Sequence, residues 1–279
     1  MEYLTFPALE QTGMVSHLFT TRLGGVSQGM YASMNLSFQR GDDAGSVLTN
    51  YERVGKVLGC STLDMVASHQ THTVHIRRVT AEDKGKGVVL SRDYEEIDGL
   101  ITDVPHLALA CFYADCVPLY FVDVRNRAIG LAHSGWRGTV QGMGARMVDA
   151  MKAAFDSRPE DIYAAIGPSI CRDCYEVSED VAEAFRNAFD GEDAAIIQEL
   201  NKGGWYQGSQ VITPGAFRGK YQLDLWLANA ILLRRAGIGV DRISITDICT
   251  CHNPDYLFSH RASQGKRGNL GAFLMLKES

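Results

Sequence analysis

The sequence predicts an α+β fold: a mixed β-sheet core flanked by helices, in a single domain. Three observations carry this. Apolar, β-prone runs such as LALACFYADCVPLYFVDV (107–124) and AIGLAHSG (128–135) lie among stretches whose apolar residues recur at helical spacing. These strand-like and helix-like segments do not alternate regularly. No internal repeat, low-complexity tract or long linker divides the 279 residues, so 1–279 reads as one domain.

The elements follow in order. The segment TTRLGGVSQGMYASMNL (20–36) is rich in Gly and Ser and reads as a functional loop or a set of turns. A helix is expected over 45–58, then a strand-like run at 64–66 leading into SHQTHTVHI. Asp115 and Pro118 interrupt the 107–124 run, which therefore divides into two buried strands around a bend. Residues 128–135 form another strand that ends in a small-residue turn. Over 138–155 the spacing of Val140, Met143, Met147, Val148 and Met151 is that of an amphipathic helix. IYAAIGPSI (162–170) is a strand stopped by Gly167-Pro168. Helices fit 177–189 and 223–237, the second finishing on basic residues and Gly237 as helix C-termini prefer. A strand in ISITDIC, a polar loop and a strand in GAFLML complete the pattern.

Composition limits the partners. A hydrophobic content of 46% and a charged content of 22% are those of a globular protein with a proper core. A net charge of −6 argues against nucleic acid, whose phosphates need a basic surface, but leaves room for a small anion met by a few local arginines. No run approaches the roughly 18–20 apolar residues of a membrane span. MEYLTFPALEQTG has neither a basic n-region nor an apolar h-region, so the expectation is a cytoplasmic protein with no membrane contact, monomeric or homodimeric. In such a compartment the seven cysteines are better read as ligands or core residues than as disulfides.

Three short segments each present one metal-binding side chain beside small or turn-forming neighbours: Gln70-Thr-His72, Ala114-Asp-Cys116 and Ala132-His133-Ser-Gly-Trp-Arg137. Two imidazoles and one thiolate suit zinc, and three protein ligands leave a position open, as catalytic rather than structural sites do. A lone His or Cys is ordinarily a core or surface residue. Context favours the metal: Cys116 sits at a break in an apolar run, and His133 ends a strand at a Gly turn. His69 and His75 flank His72 at offsets of three, which in a strand puts them on the opposite face, as supporting or surface groups.

Arginines supply the complementary charge. Arg22 lies in T-R-L-G-G, and Arg137 stands where a Gly-rich turn opens a helix, a place suited to an oxyanion or phosphate. Arg261 and Arg267 in SHRASQGKRGNLG form a second candidate anion site, and Asn35, Arg40 and Asp42 are candidate ribose contacts. Cys171, Cys174, Cys249 and Cys251 are four thiols on two loops that could hold a structural zinc, although their spacing is not a standard ribbon; alternatively Cys249 and His252 line the pocket. Cys60 and Cys111 read as core cysteines.

These motifs carry a resemblance over nearly the whole chain. TTRLGGVSQGMY…MNLSFQRGDD, QTH, DGLITD, ADCVPLYFVD, GLAHSGWRGT, GPSICRDCYEV and CTCHNPDYLFSHRASQGKRG resemble those of the YfiH-type family. That family is described variously as laccase-like polyphenol oxidases, zinc-dependent purine nucleoside phosphorylases and peptidoglycan editing factors. The resemblance implies that His72, Cys116 and His133 bind zinc. One departure is Thr71, where the family has an aliphatic residue. The resemblance further implies phosphorolysis of adenosine, inosine, guanosine and methylthioadenosine, and deamination of adenosine. In that chemistry Arg22 and Arg137 would hold phosphate.

Rival readings have separate signatures. A four-copper laccase draws on more histidines than the eight present, mostly as His-x-His pairs, of which this chain has none. Copper at the His2Cys site could still support weak oxidase activity, since it outcompetes zinc for such ligands. A cysteine hydrolase or amidase acting on a cell-wall precursor would use Cys116 as nucleophile and His133 as base, with no need of a metal. A non-enzymatic metal-binding module is the third alternative.

Overall fold

The computed structural model describes residues 1–189, 193–204 and 207–278. Two mixed sheets stack face to face, and each is covered on its outer side by helix. The five-stranded sheet runs in the order Tyr3–Leu4, Val15–Thr20, Leu270–Leu276, Ala108–Tyr113, Met65–Ala67. The six-stranded sheet runs Ile243–Ile245, Ile162–Ile166, Val117–Asp123, Ala128–Ser134, Gly99–Thr102, Ile76–Arg78. A small third sheet joins Glu176–Ser178, Lys220–Leu223 and Ile212–Pro214. The fold is α+β and a single domain, as the sequence predicts.

Side-chain alternation explains the layering. Successive residues of a strand face opposite ways, so a strand inside a sandwich with helices behind it must be apolar on both faces. In Val117–Asp123 the alternate residues Val117, Leu119 and Phe121 join a core with Met143, Met147, Leu227 and Ile231 from the covering helices. Tyr120 and Val122 point the other way, into a core shared with Leu109, Cys111 and Tyr113 of the opposing sheet. That sheet's far face packs Leu18, Ala108, Ala110 and Phe273 against Val47, Tyr51 and Val54 of helix Ala44–Leu58. Two tyrosines tie the sheets by hydrogen bonds: Tyr120 donates to the Leu18 carbonyl at 3.0 Å and Tyr113 to that of Ala132 at 2.9 Å. Among the described residues no helix is long and apolar enough to cross a membrane.

Most expected elements form, with boundary shifts that have local causes. The helix expected over 138–155 is two, Trp136–Val140 and Met143–Phe155, because Gly142 adopts a left-handed backbone (φ 78°) between them. The helix expected over 177–189 is Glu179–Ala188, its first residues being drawn into the Glu176–Ser178 strand by pairing with Lys220–Leu223. Cys111 is buried in the core as expected. Cys60 is half-buried just beyond the end of helix Ala44–Leu58.

Candidate metal centre

The chain passes from one sheet to the other between Ala108–Tyr113 and Val117–Asp123, and Cys116 stands at the end of that crossing. The bend is tight enough to force Asp115 into the left-handed region (φ 88°), an unfavourable conformation for a residue with a Cβ. Its own bonds hold it there. The carboxylate accepts from Thr250 Oγ1 at 2.6 Å and from the Arg261 N–H at 2.7 Å, and its carbonyl accepts from the Ile170 N–H at 3.0 Å.

His133 is the penultimate residue of Ala128–Ser134, on the neighbouring strand. His72 comes from a loop beyond the Met65–Ala67 strand, not from a strand, and its backbone is left-handed (φ 67°). The opposite-face argument for His69 and His75 therefore does not apply. His69 Nδ1 instead accepts from the Glu96 N–H at 3.1 Å, and His75 Nδ1 lies 3.1 Å from the Glu96 carbonyl. Gln70 anchors the loop by behaving like a strand partner of Phe112: its amide donates to the Phe112 carbonyl and accepts from the Phe112 N–H, both at 2.7 Å.

One ligand atom each from His72, Cys116 and His133 lies within 4.8 Å of the other two, close enough for a single ion to contact all three. Cys116 Sγ is 3.9 Å from His72 Nε2, and the two imidazole rings meet edge to face with centroids 4.9 Å apart. The site is built to exclude a side chain: a Cβ on Gly135 would lie 3.0 Å from Cys116 Sγ and 3.1 Å from His72 Cδ2. His72 is exposed, Cys116 half-buried and His133 buried.

Asp98, which sequence reasoning left without a role, organises two of the three. Fully buried, it accepts the backbone N–H groups of Thr71, His72 and Thr73 at 3.0–3.1 Å, fixing the His72 loop. Its Oδ1 also lies 2.8 Å from His133 Nδ1. The Nδ1 proton is thereby held toward Asp98, and the Nε2 lone pair is left for a metal. Burial would raise this carboxyl's pKa, but His133 and the loop amides prevail and hold it below its ordinary value.

Burial likewise opposes ionisation of Cys116, yet the adjacent imidazoles of His133 and His72 bring its thiol down to about 6. Burial disfavours the His133 cation, but Cys116 and Asp98 together raise that imidazole to about 9. The two shifts have one cause, the mutual attraction of a thiolate and an imidazolium held in contact. The donor set of two imidazoles and one thiol is the soft and borderline one that zinc or copper prefers.

The triad opens into a cleft of about 1040 Å³. Arg40, Arg92, Arg137, Arg261 and Arg267 line it, with aromatic residues including Phe112, Trp136 and Tyr175. The arginines differ in how far they are committed. Arg261 donates to the Cys174 and Glu176 carbonyls, and Arg40 to the Gly265 carbonyl. Arg137 lies over the Trp136 ring at 4.5 Å. Arg267 is bound to Asn269 and Gly268, and its buried Nε has no hydrogen-bond partner among the described residues. Burial, and after it the neighbouring Arg40 charge, lower Arg267 to about 10.

The other expected site residues lie elsewhere. Arg22 is not among the cleft-lining residues: its guanidinium donates to the Ala32 and Pro254 carbonyls and rests over Phe258 at 4.8 Å. This spends its donors on bracing the 20–36 loop. Asn35 is fully buried, its side chain bonded to Ser37, Asp42 and Asn269. Asp42 is its partner in that network. Of the four thiols on two loops, Cys171, Cys174 and Cys249 converge, joined by His252 in place of Cys251. Neither Cys249 nor His252 lines the cleft.

A two-sheet sandwich that brings two histidines and a cysteine together from a strand end, a loop and the connection between the sheets defines a class, and comparisons with known proteins give it a family. The family described as multi-copper polyphenol oxidoreductase laccase matches residues 16–277, and the chain belongs to it. It is 35% identical to the purine nucleoside phosphorylase YlmD of Bacillus subtilis over 94% of this chain and 88% of that one. It is 28% identical to adenosine deaminase RL5 of an unknown prokaryotic organism, over 87% of each chain. The crystal structure of YlmD from Geobacillus stearothermophilus superposes with a TM-score of 0.84 at 32% identity, covering 100% of this chain and 97% of that one.

Proposed function

We propose that the chain, as one catalytic domain, is a metal-dependent purine nucleoside phosphorylase that also deaminates adenosine. The observation that carries this reading is the convergence of His72, Cys116 and His133 in a cleft that Arg40, Arg137, Arg261 and Arg267 also line. The names of its relatives point to the same pair of activities.

In this reading His72, Cys116 and His133 hold zinc, with copper as the competing ion. When bound, the metal supplies Lewis acidity, polarising the base of the nucleoside and favouring its departure or its attack at C6. The rest falls to the chain. Asp98 keeps the proton on His133 Nδ1 and keeps the His72 loop in place. Arg267, Arg40 and Arg261 neutralise the phosphate dianion and orient it toward the anomeric carbon, where planar guanidinium groups offer paired donors. Arg137 and Trp136 close the other side, and Phe112 and Tyr175 offer apolar surface to a purine ring. Phosphate enters from solution and takes the anomeric carbon as the glycosidic bond breaks, giving the free base and ribose 1-phosphate; in deamination water instead adds at C6 of adenosine and the amino group leaves, giving inosine and ammonia.

An end-point assay of the zinc-loaded protein with adenosine, with and without phosphate, resolves adenine, inosine and hypoxanthine. Phosphate-dependent adenine release together with inosine formation supports the proposal. Absence of any turnover by folded, metal-replete protein overturns it. Inosine, guanosine and methylthioadenosine extend the same assay to the rest of the substrate class.

A further inference from the structure

Outside the cleft lies a second convergence of ligand groups. Cys171 and Cys174 bracket the 3-10 turn Arg172–Cys174, and Cys249 and His252 bracket a second turn; the two pairs read Cys-x-x-Cys and Cys-x-x-His. The two loops are stitched side by side. Ser169 pairs with Cys249, the Ser169 N–H donates to the Ile248 carbonyl at 3.2 Å, and the Thr250 N–H donates to the Ser169 carbonyl at 3.1 Å.

One ligand atom from each of the four residues lies within 4.8 Å of the other three. Cys171 Sγ is 3.7 Å from His252 Nδ1. Around a tetrahedral zinc with bonds of about 2.3 Å to sulfur and about 2.0–2.1 Å to nitrogen, two such ligands stand roughly 3.6 Å apart. Cys249 Sγ accepts two backbone N–H groups, from Cys171 at 3.3 Å and His252 at 3.4 Å, which fix its position between the two loops.

We propose that Cys171, Cys174, Cys249 and His252 form a closed, structural zinc site, separate from the His72–Cys116–His133 centre. With four protein ligands it has no open position, so its role is to fasten two loops. Both loops bear on the cleft. Tyr175 and Arg261 line it; Arg261 donates to the Cys174 carbonyl, and Thr250 and Arg261 both bond to Asp115, next to Cys116. Metal uptake at the three thiols releases their protons to solvent, so occupancy falls with falling pH.

The test is metal content together with cobalt spectroscopy on the reduced full-length protein. Wild type is expected to bind two zinc ions per chain and Cys116→Ala one. His252→Ala, whose side chain is exposed and whose loss spares the core, is expected to bind one ion and to unfold at a lower temperature. Cys251→Ser is expected to keep both. Cobalt added to Cys116→Ala probes the site without altering it, and should give the intense thiolate-to-cobalt absorption of a tetrahedral three-sulfur site. The proposal is overturned if wild type binds one ion and Cys116→Ala none, or if cobalt-loaded Cys116→Ala lacks that band. Retention of both ions by His252→Ala overturns the ligand set. None of these readouts depends on nucleoside turnover, so they succeed or fail independently of the catalytic reading.

Discussion

At the scale of the residue, the centre depends as much on Asp98 as on its three metal-binding side chains. A neutral amide cannot compel His133 to present Nε2, nor accept three successive backbone N–H groups with the strength of a carboxylate. Asp98→Asn is therefore expected to weaken zinc binding by about 10–100-fold, read by competition with a chromophoric chelator, with the far-ultraviolet circular dichroism unchanged. An unaltered affinity would remove Asp98 from the site. Gly135→Ala acts by space alone: its Cβ would displace Cys116 Sγ or His72, so metal content should fall although no ligand is lost. The three converging residues were legible in the sequence because soft ligand types stood at turns and strand ends. Asp98 was not, because its partners come from separate segments that only the fold unites. The roles expected for Arg22 failed to show the competition for its donors: a Gly-rich neighbourhood suggests an anion, whereas the folded loop offers its own carbonyls.

Among the elements, those with strong periodicity were legible. The Ala44–Leu58 helix, the two strands on either side of Asp115 and the Leu225–Arg235 helix lie within a residue or two of expectation. The Val15–Thr20 strand was not, since VSHLFT carries a histidine and polar residues in a segment that is nearly all buried. That histidine has a consequence for stability. His17 is 6% exposed and its Nε2 accepts from the Phe6 N–H at 2.8 Å, tying the strand to the segment before helix Pro7–Glu10. Burial lowers its pKa to about 4. Between the ordinary imidazole value and that figure the unfolded chain takes up a proton that the folded chain refuses, so stability falls as pH drops through this window. The loss should approach about 3 kcal/mol, measured by urea unfolding at pH 7 and pH 4. His17→Gln, which cannot take up the proton, should show a shallower decline by that amount; an identical decline would show that His17 is not responsible.

For the whole molecule, stacking two sheets brings the ends of non-neighbouring strands and their loops to one cleft. This explains why the sequence marked Arg261 and Arg267 only as a weak anion site: their meeting with Arg40 depends on Gly265 and Asn269 reaching back to the early loop. If this cluster binds phosphate, Arg267→Gln should raise KM for phosphate by about tenfold or more, the cost of one charge-assisted hydrogen bond, while KM for adenosine moves little. Arg22→Ala should lower the melting temperature and leave phosphate dependence intact. The reverse pattern would return the anion to Arg22.

The central claim is that a metal held by His72, Cys116 and His133 makes nucleoside turnover possible, and metal removal and restoration test it most directly. Adenosine turnover would be followed in the purified protein, after chelation, and after zinc is added back, with Cys116→Ala alongside. Activity lost on chelation, regained with zinc and absent from Cys116→Ala is the predicted result. Activity that survives complete metal removal would contradict it and point instead to Cys116 as a metal-independent nucleophile.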